Sequence, residues 1–115
     1  SFPYAPAASS SVLAGVQVRW CRTRVTEQPA LAGAKHLNRL DSVLARSEWT
    51  DPDIAEGLML DRDGRVVSGT MSNVFLLEGK RLATPCLDVA GVAGMQRARL
   101  MSLCRQDGLD SVEDR

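Results

Sequence analysis

Apolar residues recur along the chain with two different periods, and the switches between them mark the elements. Between Val12 and Cys21, Val16, Val18 and Trp20 alternate with polar neighbours, the period of a half-buried strand. Residues 1–11, rich in Pro, Ala and Ser, read as a lead-in segment. Residues 22–34 pass through Pro29 and Gly33 as a loop. Leu37, Leu40, Val43 and Leu44 then return at spacings of three and four. This predicts an amphipathic helix over residues 37–48, with Arg39, Asp41 and Arg46 toward water or polar neighbours.

Asp51-Pro52-Asp53 breaks that helix, and a β-rich stretch follows. It comprises Gly57–Leu60, a turn ending at Gly64, Arg65–Val67, Asn73–Leu77, a turn through Gly79, and Arg81–Thr84. Helical spacing resumes over residues 95–106, carried by Met95, Leu100, Met101, Leu103 and Cys104, with Gly108 as its stop. Asp110–Arg115 are read as a charged end with no element. The order strand, helix, several strands, helix predicts a mixed α/β (α+β) domain spanning residues 1–115.

Charge narrows the partners. Fourteen basic and fourteen acidic residues cancel, so no net field draws this chain to nucleic acid or to an anionic membrane. No apolar run approaches the roughly 20 residues that a membrane helix needs. Cys21, Cys86 and Cys104 are odd in number and widely spaced, without a CxxC pair. Free thiols in a reducing, cytoplasmic setting are therefore expected, with no metal site. The chain does not begin with methionine, and its first residues lack the basic-then-apolar order of a signal peptide, as a chain starting partway through a longer protein would.

Three segments carry candidate chemistry. Lys35 lies between small residues and the start of the first predicted long helix, in Leu31-Ala-Gly-Ala-Lys-His-Leu-Asn-Arg-Leu-Asp. An amine in such a place has room for a bulky carbonyl partner, and desolvation by an apolar flank favours the neutral, nucleophilic form. A solvated surface lysine is the plainer alternative. His36, the only histidine, is expected to point away from whatever Lys35 faces and to serve structure rather than chemistry. Gly91-Val-Ala-Gly-Met-Gln-Arg97 opens the last helix, whose first-turn amides suit a phosphate, with Gly94 letting the main chain come close. A tight connection with two glycines explains the same residues. Ser68-Gly-Thr-Met-Ser-Asn73 offers short hydrogen-bonding side chains to a ligand, or simply shapes a bulge.

Taken together, these segments resemble a known superfamily. Asn73-Val-Phe75, Leu82-Ala-Thr84 and Val92-Ala-Gly-Met-Gln-Arg97 are similar to the signature of the class IV (fold-type IV) aminotransferases, which act with pyridoxal 5'-phosphate. Ala32–Arg46 resembles most closely the lysine segment of the aminodeoxychorismate lyase branch. The resemblance runs from about residue 12 to 106.

It implies an incomplete large, C-terminal cofactor-binding domain, lacking the family's smaller N-terminal domain and its last strands and helices. It implies that Lys35 forms a Schiff base with pyridoxal phosphate and then moves protons. Val92 would pack on the pyridine ring, and the amides of Met95 and Gln96, beside Gly94, would hold the phosphate. Ser68 stands where the family has a glutamate paired with the pyridine nitrogen; a hydroxyl there implies a less protonated ring and a weaker electron sink. The implied reaction eliminates pyruvate from 4-amino-4-deoxychorismate to give 4-aminobenzoate, on the route to folate, in a homodimer that needs no metal. A D-amino-acid or branched-chain aminotransferase, or a non-catalytic remnant, is the alternative.

Overall fold

The computed structural model describes residues 9–114. Six strands form two three-stranded sheets. In the first, β1 (Gln17–Trp20) runs parallel to β2 (Ile54–Leu60), which pairs antiparallel with β3 (Val66–Gly69). In the second, β4 (Leu76–Glu78) pairs antiparallel with β5 (Arg81–Pro85), which runs parallel to β6 (Asp110–Asp114). Three α-helices connect and flank them: α1 (Ser9–Ala14), α2 (Leu40–Arg46) and α3 (Met95–Gln106). The mixed α/β architecture read from the chain is the one observed.

The core of the first sheet is small and built around one close approach. Cys21, Ala45, Trp49 and Met59 are buried together, with Val25 and Ile54 packed against them. Gly57 sits at the centre. A Cβ there would lie 2.4 Å from Cys21 Sγ and 2.8 Å from a Trp49 ring carbon, inside any van der Waals contact. Trp49 is held from both sides, donating its indole N–H to the Ile54 carbonyl at 3.2 Å and lying beneath the Arg46 guanidinium at 4.4 Å. Gly57→Ala is therefore expected to cost about 2 kcal/mol by overpacking, read as a lower urea midpoint at unchanged m-value. An unchanged midpoint would show that the indole can move aside freely.

Several sequence expectations need correction. The lead-in segment 1–11 is not featureless: its described part, with Val12–Ala14, forms α1, while residues 1–8 lie outside the described residues. The strand expected from Val12 is thus only Gln17–Trp20. Its inward residue is Arg19, whose guanidinium reaches the Glu48 carbonyl and carboxylate at 3.2 and 3.4 Å, while Val16, Val18 and Trp20 are exposed.

Helix α2 begins at Leu40 rather than 37, because the Asn38 amide donates to His36 Nδ1 and the Arg39 amide to the Leu37 carbonyl, a turn that precedes the helix. Its apolar stripe does not face the core. Leu37, Leu40, Val43 and Leu44 are all more than half exposed, and Ala45 is the buried residue. Asp110–Asp114, read as a bare charged end, is the edge strand β6. The strand expected over Asn73–Leu77 is Leu76–Glu78. Gly64, Gly79 and Gly108 have the positive φ their turns require, and Cys21, Cys86 and Cys104 are free, the first and last buried.

Candidate active site

The three candidate segments, far apart in sequence, meet at the opening of α3. Gly33, two residues before Lys35, forms a parallel bridge with Val92: its amide donates to the Gly91 carbonyl and its carbonyl accepts from Ala93 N–H, both at 3.0 Å. Asn73 closes on the same turn from the other side, its Nδ2 donating to the Val92 carbonyl at 2.8 Å. A Cβ on Gly94 would lie 2.8 Å from Asn73 Oδ1, so the glycine is needed for this side chain to pass, a more specific reason than general freedom at a helix start. The Asn73 side chain thus locks the helix-opening loop.

That loop leaves α3 open at its N-terminus. Gly94 is the N-cap and no side chain caps the helix. The Ala98 amide is the one that returns to the Gly94 carbonyl, so the amides of Met95, Gln96 and Arg97 precede the first intrahelical bond. With the helix dipole behind them, they present donors of the kind that suits an anion. Arg97 fixes its direction: the buried guanidinium donates to the Pro85 carbonyl at 3.1 Å and pairs with Glu113 at 3.2 Å, tying the first turn to β5 and β6.

Beside this end lies a cleft. Ser68, His36, Arg39, Ser42 and Gly91 are among its lining residues. Ser68 stands opposite Met59 in the β2–β3 register, so its side chain shares the α2-facing side of the sheet, where Ser42 Oγ approaches Met59 Sδ at 4.0 Å. His36 lines the cleft too and uses Nδ1 to accept from Asn38, which is the structural role expected of it. Lys35 is exposed and is not part of the cleft wall; the apolar enclosure expected from its neighbours does not come from the described residues. Val92 is half-buried, Gly94 is half-buried, and Met95 and Gln96 are exposed at the helix end.

Sequence reasoning missed the group that organises these pieces. Glu56, on the opposite face of β2 from Met59, accepts from Gly57 N–H at 2.8 Å, Thr70 N–H at 3.0 Å, Met71 N–H at 3.3 Å and Ser72 Oγ at 2.8 Å, and from the Thr70 hydroxyl as well. Burial alone would push its carboxyl up, but the donors from Thr70, Ser72, Gly57 and Met71 outweigh burial and hold it below the usual carboxylate value. It shapes the 69–72 turn that joins Ser68 to Asn73. Its one trace in the sequence was its distance from that Ser- and Thr-rich turn, which gives no hint of contact.

The family model for amino-transferase class IV matches residues 1–115. The chain belongs to this family. Within class IV it is 37% identical to an aminodeoxychorismate lyase from Vibrio harveyi over 94 residues, covering 82% of this chain and 35% of that enzyme. The crystal structure of 4-amino-4-deoxychorismate lyase from Pseudomonas aeruginosa superposes with a TM-score of 0.91 at 46% identity, covering 97% of this chain and 42% of that one. Branched-chain aminotransferase from Thermoproteus uzoniensis superposes with a TM-score of 0.77 at 26% identity, covering 87% and 34%. The chain therefore spans between a third and a half of the length of these class IV relatives.

The residues present fit the family's cofactor, pyridoxal phosphate, on the structure's own terms. An uncapped helix end offers amides to a phosphate, and a glycine at its N-cap passes tightly under Asn73, while Lys35, two residues from the bridge to that loop, is exposed and lacks the apolar enclosure a Schiff-base amine needs.

Proposed function

We propose that this chain is the cofactor-binding part of an aminodeoxychorismate lyase, which releases pyruvate from 4-amino-4-deoxychorismate to leave 4-aminobenzoate. The observation that carries the reading is the convergence on Val92: the Lys35 segment bridges to it, and Asn73, from the loop between β3 and β4, pins its carbonyl. Similarity to lyases from Vibrio harveyi and Pseudomonas aeruginosa supports the lyase over the aminotransferase.

Pyridoxal phosphate supplies an aldehyde for amines and an electron sink for breaking bonds next to nitrogen. The protein's part is then to hold, orient and move protons. The amides of Met95 and Gln96 would hold the phosphate, and Val92 would pack against the ring. Lys35 would carry the cofactor through its amine and, once displaced by the substrate amine, take and return a proton. Ser68 would meet the ring nitrogen with a hydroxyl in place of a carboxylate, which keeps that nitrogen less protonated.

The reading requires that segments beyond the third to half of the relatives spanned here enclose Lys35. A homodimer, and a cytoplasmic setting that keeps the three thiols reduced, complete the proposal. Incubation of the cofactor-loaded protein with 4-amino-4-deoxychorismate is expected to yield pyruvate and 4-aminobenzoate in equal amounts. Keto-acid formation from a D- or branched-chain amino acid without pyruvate release would replace the lyase reading with an aminotransferase.

A further inference from the structure

The cleft beside the α3 opening contains a cation that, among the described residues, no carboxylate contacts. Arg39 is half-buried there, and its guanidinium donates from Nη2 to the Thr70 carbonyl at 3.3 Å. Among the described residues it makes no ion pair with a carboxylate. The carbonyl it rests on belongs to the turn that Glu56 holds with several hydrogen bonds, so the guanidinium is anchored while its charge stays available.

Of the other groups facing the cleft, Asp41 is the one of opposite charge, and it is turned to the backbone rather than to Arg39. Asp41 lines it, yet its oxygens accept the Thr26 and Ser42 amides, each at 2.7 Å. His36 engages Nδ1 with the Asn38 amide, and Ser42 and Ser68 contribute hydroxyls. A half-buried guanidinium that no carboxylate contacts can receive an anionic oxygen through two parallel N–H donors, since the Asp41 carboxylate nearby is committed to backbone amides.

We propose that Arg39 binds an anionic oxygen of the ligand in this cleft, either the phenolate of the cofactor ring or a carboxylate of the substrate. This rests on the functional reading above, and it adds a residue that neither the signature nor the phosphate site supplies.

The test uses the pyridoxal phosphate-loaded protein as wild type, Arg39→Gln and Arg39→Lys. Its first arm titrates the visible absorbance of the bound cofactor against pH, in the absence of substrate. A cation beside the ring phenolate stabilises the form with a neutral Lys35-linked nitrogen, so its removal in Arg39→Gln raises the titration midpoint by roughly one pH unit. Arg39→Lys retains most of the wild-type value. The second arm measures the Kd of 4-aminobenzoate. A carboxylate contact predicts an unchanged midpoint and a roughly tenfold weaker Kd in Arg39→Gln, with Arg39→Lys between.

A midpoint and a Kd that both match wild type in the glutamine variant overturn the proposal. Should that variant fail to fold, Arg39→Met, of similar length and without charge, carries the same expected midpoint and Kd in its place, and a wild type that binds aniline as tightly as 4-aminobenzoate overturns the carboxylate arm. Borohydride fixation separates the two levels: a wild type that leaves no cofactor on Lys35 overturns the functional reading itself, and the role of Arg39 with it.

Discussion

Lys35→Ala is expected to lose the visible absorbance of the Lys35-bound cofactor, to leave no borohydride-fixed label, and to slow turnover by about a thousandfold or more. Its fold stability is expected to stay within about 0.5 kcal/mol of wild type, because Lys35 is exposed and lies outside the core cluster and the residues packed on it. The combination makes the test sharp. A residue that served packing would lose stability and function together; a residue that serves chemistry alone loses only the second. Phosphate binding should survive the substitution, since the amides of Met95 and Gln96 belong to the main chain of α3. Retention of a covalent label in the alanine variant would place the amine elsewhere. Lys80, the other lysine, lies in the β4–β5 turn between Glu78 and Arg81 and is the first position to examine.

The distribution of what the sequence disclosed follows from which interactions are local. The turns at Gly64 and Gly79, the stop at Gly108 and the helix over Met95–Gln106 depend on neighbouring residues, and they were legible. The ends of α2 were not. Periodicity ran back to Leu37, whereas side chain and main chain of residues 36–39 satisfy each other in a competing turn. The α2 stripe misled for a related reason: spacing identifies an apolar face but does not say what covers it, and here that face is exposed. Strand β6 was hidden because its stabilising partner is β5, about thirty residues earlier, and charged residues at a sheet edge carry no alternation to detect.

At the site, the individual segments were visible and their meeting was implied only by resemblance. Asn73 was legible as part of a motif, yet its work, fastening the Val92 carbonyl and filling the space that a Cβ at 94 would take, is a tertiary fact. Glu56 and Arg39 were illegible for the same reason. Glu56 belongs to no motif and Arg39, although within Ala32–Arg46, had no role assigned there; each acquires meaning from the 69–72 turn that brings Thr70 within reach of both.

Glu56→Gln is expected to destabilise the fold by about 3 kcal/mol, the largest stability effect of any substitution considered. The carboxylate accepts from three amides and two hydroxyls, and an amide nitrogen in place of one oxygen would turn a donor toward donors. The pH dependence follows from the direction of the shift. The folded-state carboxyl titrates below the usual glutamate value of about 4.3, so the unfolded chain takes up the proton first. The stabilisation is therefore complete above that ordinary value and disappears as the pH falls through the lower, folded-state value.

Glu48 complicates a measurement on wild type alone. Burial pushes its carboxyl up, but the Arg22 and Thr23 amides and the Arg19 charge outweigh burial and hold it low as well. The difference between wild type and Glu56→Gln removes that shared contribution. Urea midpoints are expected to differ most at neutral pH and to converge once the pH drops well below 4. A gap that stays constant down that acid limb would mean that Glu56 acts through shape alone, and the 69–72 turn would then owe its form to its own residues rather than to the carboxylate charge.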